Sequence, residues 1–154
     1  IAGAVKTATV GAGTVLNAAQ ARSAMDAGAQ FLVSPGATPA LLDAADGFGV
    51  PLLPGAVTAS EAMVCLDRGY RFLKFFPAEQ SGGVGALKAL AAPLSELKFC
   101  PTGGVSAANL GTYLACPNVV CVGGSWVAPQ KLVETGDWAG VAKLAAEARA
   151  QAAA

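Results

Sequence analysis

Arg71-Phe72-Leu73-Lys74-Phe75-Phe76-Pro77-Ala78-Glu79 is the stretch that decides the fold. Residues 71–76 are almost wholly apolar and end at a proline, which cannot donate to a continuing strand ladder. Side chains alternate along a strand, so Phe72, Lys74 and Phe76 share one face and Leu73 and Phe75 the other. Apolar residues on both faces suit a parallel strand covered on both sides. One lysine inside such a run has two readings. It either snorkels from the strand end to water, or its amine is used there.

Runs of the same kind recur along the chain at 9–15, 30–34, 50–54, 98–101 and 119–122, each with Gly, Pro, Ser or Thr near its end. Alanine- and leucine-rich segments lie between them, with recognisable helix starts. Asn17 precedes one, which Gly28 closes. Thr38 precedes Pro39, a favoured first helical residue. Thr58 and Glu61 have capping-box spacing, and Gly69 ends that helix. Ser106 is expected to open the helix after the fifth strand. Asp137 is expected to open the last, with Trp138, Val141, Leu144 and Ala145 on one face.

Six strand–helix units without a dinucleotide fingerprint predict a TIM-type (β/α)8 barrel rather than a doubly wound sheet. A full barrel needs eight units and usually more than about 200 residues. The 154 residues, read as a single domain over 1–154, therefore hold about six units. The chain starts at Ile1 without methionine, and residues 1–9 read as the tail of one unit running into a strand. The expectation is an N-terminally incomplete barrel whose six strands would leave edges exposed.

Composition removes several function classes. Ten basic residues balance ten acidic ones, with only 13% charged in all, so no electrostatic footprint for nucleic acid or an anionic membrane exists. Mean hydropathy is +0.52, enough for a sizeable core, yet no run reaches the roughly 18 apolar residues of a membrane span. Histidine is absent, and Cys65, Cys100, Cys116 and Cys121 form no C-x-x-C pair, so neither a metal site nor a cofactor is expected. The cysteines read as small buried hydrophobes in a reducing compartment.

Chemistry must then rest on other groups, and Lys74 is the candidate. In a barrel it would point inward near the C-terminal end of its strand, where barrel active sites lie. Aromatic walls would desolvate it and disfavour the ammonium form. A neutral amine attacks a ketone to give an imine, whose iminium form is an electron sink when a nearby carbon–carbon bond breaks. The fifth and sixth strand candidates end in Thr102-Gly103-Gly104 and Gly123-Gly124-Ser125. Adjacent glycines let backbone N–H groups approach an anion, and the loops after barrel strands seven and eight form the usual phosphate site. The alternative is a pair of tight turns. Thr14, after Gly11-Ala12-Gly13, is placed to bind a carboxylate or is simply a β-branched strand residue.

Together GAGTVLN (11–17), SPG (34–36), PLLPG (51–55), FLKFFPAE (72–79), SGGV (81–84), FCPTGGVS (99–106) and GGSW (123–126) strongly resemble the 2-keto-3-deoxy-6-phosphogluconate aldolases. The resemblance covers essentially the whole chain. It implies a cytoplasmic, homotrimeric class I aldolase of the Entner–Doudoroff pathway on a (β/α)8 barrel. Such an enzyme splits its phosphorylated 2-keto acid into pyruvate and glyceraldehyde 3-phosphate, and many also act on 4-hydroxy-2-oxoglutarate. By motif, Lys74 is the Schiff-base residue and Thr14 contacts the pyruvate carboxylate. Phe76 and Pro35 pack near the pyruvate moiety, and Thr102, Gly103, Gly104, Gly124 and Ser125 receive the phosphate. The family's general-base glutamate and a carboxylate-binding arginine fall before Ile1, and Glu79 reads as structural. The rivals are a phosphosugar isomerase that forms no imine and an inactive partial barrel that binds phosphate or self-assembles.

Overall fold

The computed structural model describes residues 2–5 and 7–153, so Ile1 and Lys6 of the expected leading segment lie outside the described residues. The chain divides into two compact units, residues 1–76 with 96–98, and residues 77–95 with 99–154.

In the first unit, β1 (Gly11–Ala12), β2 (Phe31–Val33) and β3 (Leu52–Leu53) pair in parallel in that order. A parallel bridge between Gly55 and Lys74 adds β4 (Phe72–Phe75) beyond β3. The strands are shorter than the sequence runs, because Pro and Gly at their ends withdraw donors or turn the chain. Helices α1 (Ala18–Asp26), α2 (Pro39–Ala45) and α3 (Ala59–Asp67) follow the first three strands. Their starts are those expected. Asn17 and Thr38 side chains accept the N–H groups of Gln20 and Leu41, and Thr58 forms a complete capping box with Glu61. Gly28 and Gly69 carry φ of +93° and +85° just past α1 and α3, backbone that favours glycine.

The unit's core lies between sheet and helices. Leu32 and Leu52 point from the sheet into a cluster with Ala21, Leu41 and Leu42. Register carries this alternation across the strands, since Leu32 pairs with both Ala12 and Leu52. Phe31, Val33, Leu53 and Lys74 stand on the opposite face and are half-buried.

In the second unit, α4 (Gly83–Ala91) starts at left-handed Gly82 without a side-chain cap, so no polar cap signal announces it. β5 (Lys98–Pro101) contributes its residues 99–101 to this unit. The expected strand 119–122 is not a regular strand. Phe99 bridges Val119 and Thr102 bridges Gly123, so residues 120–122 face only residues 100 and 101. One extra residue breaks the ladder, as in a bulge. The expected helix at Ser106 also begins later, as α5 (Leu110–Leu114). The Ser106 carbonyl accepts the N–H groups of Asn109 and Leu110, which closes a turn first.

A short 3₁₀ turn (Ser125–Val127), α6 (Gln130–Glu134) and α7 (Trp138–Ala152) complete the unit. Asp137 caps α7 by accepting the Gly140 N–H. The expected apolar face of α7 holds only in part. Val141 and Leu144 are half-buried, but Ala145 is exposed and Trp138 is 64% exposed. Among the described residues no helix is long and apolar enough to cross a membrane.

The Glu61 carboxylate accepts the Val57 and Thr58 N–H groups, both at 2.9 Å. These bonds, that from Val57 foremost, hold its pKa below the ordinary 4.5. A depressed folded-state value stabilises the fold fully above the unfolded pKa, and that contribution disappears as pH falls through the folded one. Thr58→Ala should cost about 1 kcal/mol at pH 7 in urea unfolding. Glu61→Gln should flatten the loss of stability below pH 4.5.

Candidate active site

Lys74 lies mid-strand in β4, and its backbone is held on one side by the neighbouring strand end. The Lys74 N–H donates to Pro54 O at 2.8 Å, and its carbonyl accepts the Ala56 N–H at 2.9 Å. Leu73 and Phe75 are fully buried, so Lys74 must face the other way. That face is more open than the sequence suggested. Lys74 is half-buried, while Phe72 and Phe76 are 57% and 39% exposed. The expectation of an aromatic-walled, desolvated lysine is corrected to one aromatic neighbour. Lys74 Nζ lies 4.6 Å from the Phe76 ring centroid, a cation–π distance. The core takes Leu73 and Phe75, and Lys74 on the alternate face is half-buried.

The other expected residues of this unit lie on neighbouring strand ends. Val15 N–H donates to Val33 O at 3.0 Å, and Ser34 N–H to Leu53 O at 3.1 Å. These bonds align the Thr14, Pro35 and Gly55 turns in strand order, with Gly55 bridging Lys74. A Cβ at Gly55 would collide with the Pro35 carbonyl, so only glycine lets the Pro35 turn sit against the strand end beside Lys74. Thr14 is exposed at φ +57°, the only described non-glycine residue with positive φ. A β-branched residue there is a true outlier, and such strain gathers at functional sites.

In the second unit the Gly-Gly turns are neighbours. Gly123 N–H donates to Pro101 O at 2.9 Å, and Thr102 bridges Gly123. A Cβ on Gly123 would lie 2.7 Å from Thr102 Cγ2, and one on Gly124 2.9 Å from Val105 O. The Thr102 Oγ1 is buried without a hydrogen-bond partner. Ser125, at the start of the 3₁₀ turn, is exposed. Gly103 and Gly104 adopt φ of +90° and +82°.

Glu79, read from the sequence as structural, is a brace whose partner the sequence did not name. Its N–H donates to Gly103 O at 3.1 Å, and its carboxylate accepts the hydroxyl of fully buried Tyr113. Burial first, and this bond second, push the Tyr113 phenol up, so it stays a donor. Glu79 also covers Gly104, whose Cβ would overlap the Glu79 side chain. The tie spans 34 residues of sequence, and no local signal announces it. Among the described residues no group of three or more His, Cys, Asp or Glu could hold a metal ion.

With this geometry in place, comparison with known proteins is decisive. The family model for KDPG and KHG aldolase matches residues 1–144. The chain belongs to the KDPG and KHG aldolase family. The KHG/KDPG aldolase of Escherichia coli K12 is 53% identical over 148 residues, covering 96% of this chain and 70% of that protein. The KDPG aldolase of Legionella pneumophila, solved with pyruvate as a covalent carbinolamine intermediate, superposes with TM-score 0.88 at 42% identity. That match covers 90% of this chain and 68% of the other. The Zymomonas mobilis ZM4 2-keto-3-deoxy-6-phosphogluconate aldolase, solved with 3-phosphoglycerate, also gives TM-score 0.88, at 45% identity over 95% and 68% of the two chains. The α/β fold is thus the aldolases' own, and the chain is a carbon–carbon lyase of that family.

Tyr113→Phe should lower stability by about 1.5–3 kcal/mol, the scale of a hydrogen bond to a charged group. Gly104→Ala should cost at least about 1–2 kcal/mol, because left-handed backbone alone costs that much before the overlap with Glu79. Urea unfolding midpoints measure both, and an unchanged midpoint for Gly104→Ala would contradict the Glu79 packing described above.

Proposed function

We propose that the chain carries the Schiff-base lysine of a class I aldolase. Its reaction is cleavage of 2-keto-3-deoxy-6-phosphogluconate to pyruvate and glyceraldehyde 3-phosphate, with 4-hydroxy-2-oxoglutarate as a further substrate. The observation that carries this reading is Lys74, set on the open face of β4 beside Phe76 in a chain of the aldolase family. The pyruvate carbinolamine of the Legionella relative is the adduct that amine attack on a 2-keto acid produces.

In this mechanism the Lys74 amine attacks the C2 ketone. The carbinolamine loses water to give an iminium. The C3–C4 bond then breaks, its electron pair moving into the iminium while the C4 hydroxyl passes its proton to a water and becomes the aldehyde. The resulting enamine is protonated at C3 and hydrolysed, releasing pyruvate and the free amine. Thr14 holds the carboxylate, and Pro35 and Phe76 pack on the pyruvate carbons. By the family motif, Thr102, Gly103, Gly104, Gly124 and Ser125 receive the phosphate. The 3-phosphoglycerate in the Zymomonas relative is a three-carbon phosphate like the aldehyde product. The setting for this chemistry is an eight-stranded (β/α) barrel in a cytoplasmic homotrimer.

Pyruvate with borohydride should leave one stable adduct, mapped by peptide mass spectrometry to Lys74. Lys74→Ala should abolish the adduct and lower cleavage by at least about 10⁴-fold, the scale of losing a covalent nucleophile. An adduct in Lys74→Ala, or one mapped elsewhere in the wild type, would sink the assignment. Cleavage without any adduct would favour a barrel enzyme that forms no imine.

A further inference from the structure

Cys100 and Cys121 depart from the expectation of buried, inert cysteines. Cys65 and Cys116 are buried, but Cys100 is half-buried and Cys121 is exposed. None of the four is in a disulfide. Cys100 lies one residue past the Phe99–Val119 bridge, and Cys121 two residues before the Thr102–Gly123 bridge. They therefore stand on adjacent strands between two points where the backbones are bonded. Neighbouring strands lie about 4.8 Å apart, and a disulfide needs Cα atoms about 4.4–6.8 Å apart. Counted back two residues from the Thr102–Gly123 bridge, Cys121 stands opposite Cys100.

We propose that Cys100 and Cys121 are a reversible dithiol–disulfide pair, oxidised by hydroperoxides and restored by dithiol reductants. The hydrogen bond from Cys100 stabilises a Cys121 thiolate and outweighs its partial desolvation, bringing its pKa from 9.0 down to about 7. Cys65 is the opposite case, pushed up to about 11 by burial and then by Glu61. Only a thiolate is a good nucleophile, so peroxide selects Cys121. Its sulfur attacks a peroxide oxygen, the O–O bond breaks, and the leaving hydroxide takes a proton to become water. The Cys100 sulfur then attacks the Cys121 sulfenic acid. The S–S bond forms as the S–O bond breaks, and the Cys100 proton leaves with that oxygen as a second water. Two thiols are oxidised by two electrons and one peroxide is reduced to two waters.

The test treats the chain with one equivalent of hydrogen peroxide at neutral pH, blocks remaining thiols and maps peptides by mass spectrometry. The expected product joins the Cys100 and Cys121 peptides within one chain, and dithiothreitol separates them. In Cys100→Ala the cross-link should vanish and a dimedone-trappable sulfenic acid should remain at Cys121. Alkylation of Cys121 should rise with pH through a midpoint near 7 in the wild type, and that midpoint should move upward in Cys100→Ala. Peroxide that leaves both thiols alkylatable, or that links Cys121 to another cysteine or another chain, would overturn the proposal. So would an unmoved midpoint. The wild-type map decides the matter even if Cys100→Ala fails to fold.

Discussion

The alternation of side chains along β4 is the constraint on which the candidate site depends. Leu73 and Phe75 are fully buried, and the backbone of Lys74 is bonded at both N–H and carbonyl to the end of the neighbouring strand. The strand cannot rotate without breaking those bonds. A slip of one residue would exchange the faces and carry the ammonium into the core. Burying an unpaired charge costs far more than the apolar packing gained. The lysine is therefore held on the open face by what lies on the other side of its strand.

The glycine turns obey a similar logic of exclusion. Thr102 against Gly123, Val105 against Gly124 and Glu79 against Gly104 each leave no room for a Cβ. Glycine is what lets these backbones approach so closely. Glu79 and Tyr113 brace the first turn from behind, one through backbone and side chain, the other from the core. A carboxylate beside a proposed phosphate position would repel that anion, and its engagement with a neutral phenol makes it a strut. Glu79 thus belongs to the support of the turn.

The break in the ladder after β5 links architecture to the thiol pair. The extra residue in 120–122 prevents a regular sixth strand. Pairing resumes at Gly123, which restores contact between the two turns. Cys121 lies inside the irregular segment, beside Cys100 and open to solvent. Its partner and its exposure together give a thiol unlike Cys65, which the core encloses.

The sequence by itself determined the first five strands, the helix starts at Asn17, Thr38, Thr58 and Asp137, and the face on which Lys74 stands. These are short-range matters of capping and two-residue alternation, so neighbours in sequence decide them. It also carried the motif set that places the chain among the aldolases. The openness of the lysine's face, the register break at 120–122, the Glu79–Tyr113 brace and the meeting of Cys100 with Cys121 were decided only by tertiary structure. Each depends on which distant backbone lies alongside. The Glu79–Tyr113 tie spans 34 residues, and no local propensity encodes a partner that far away.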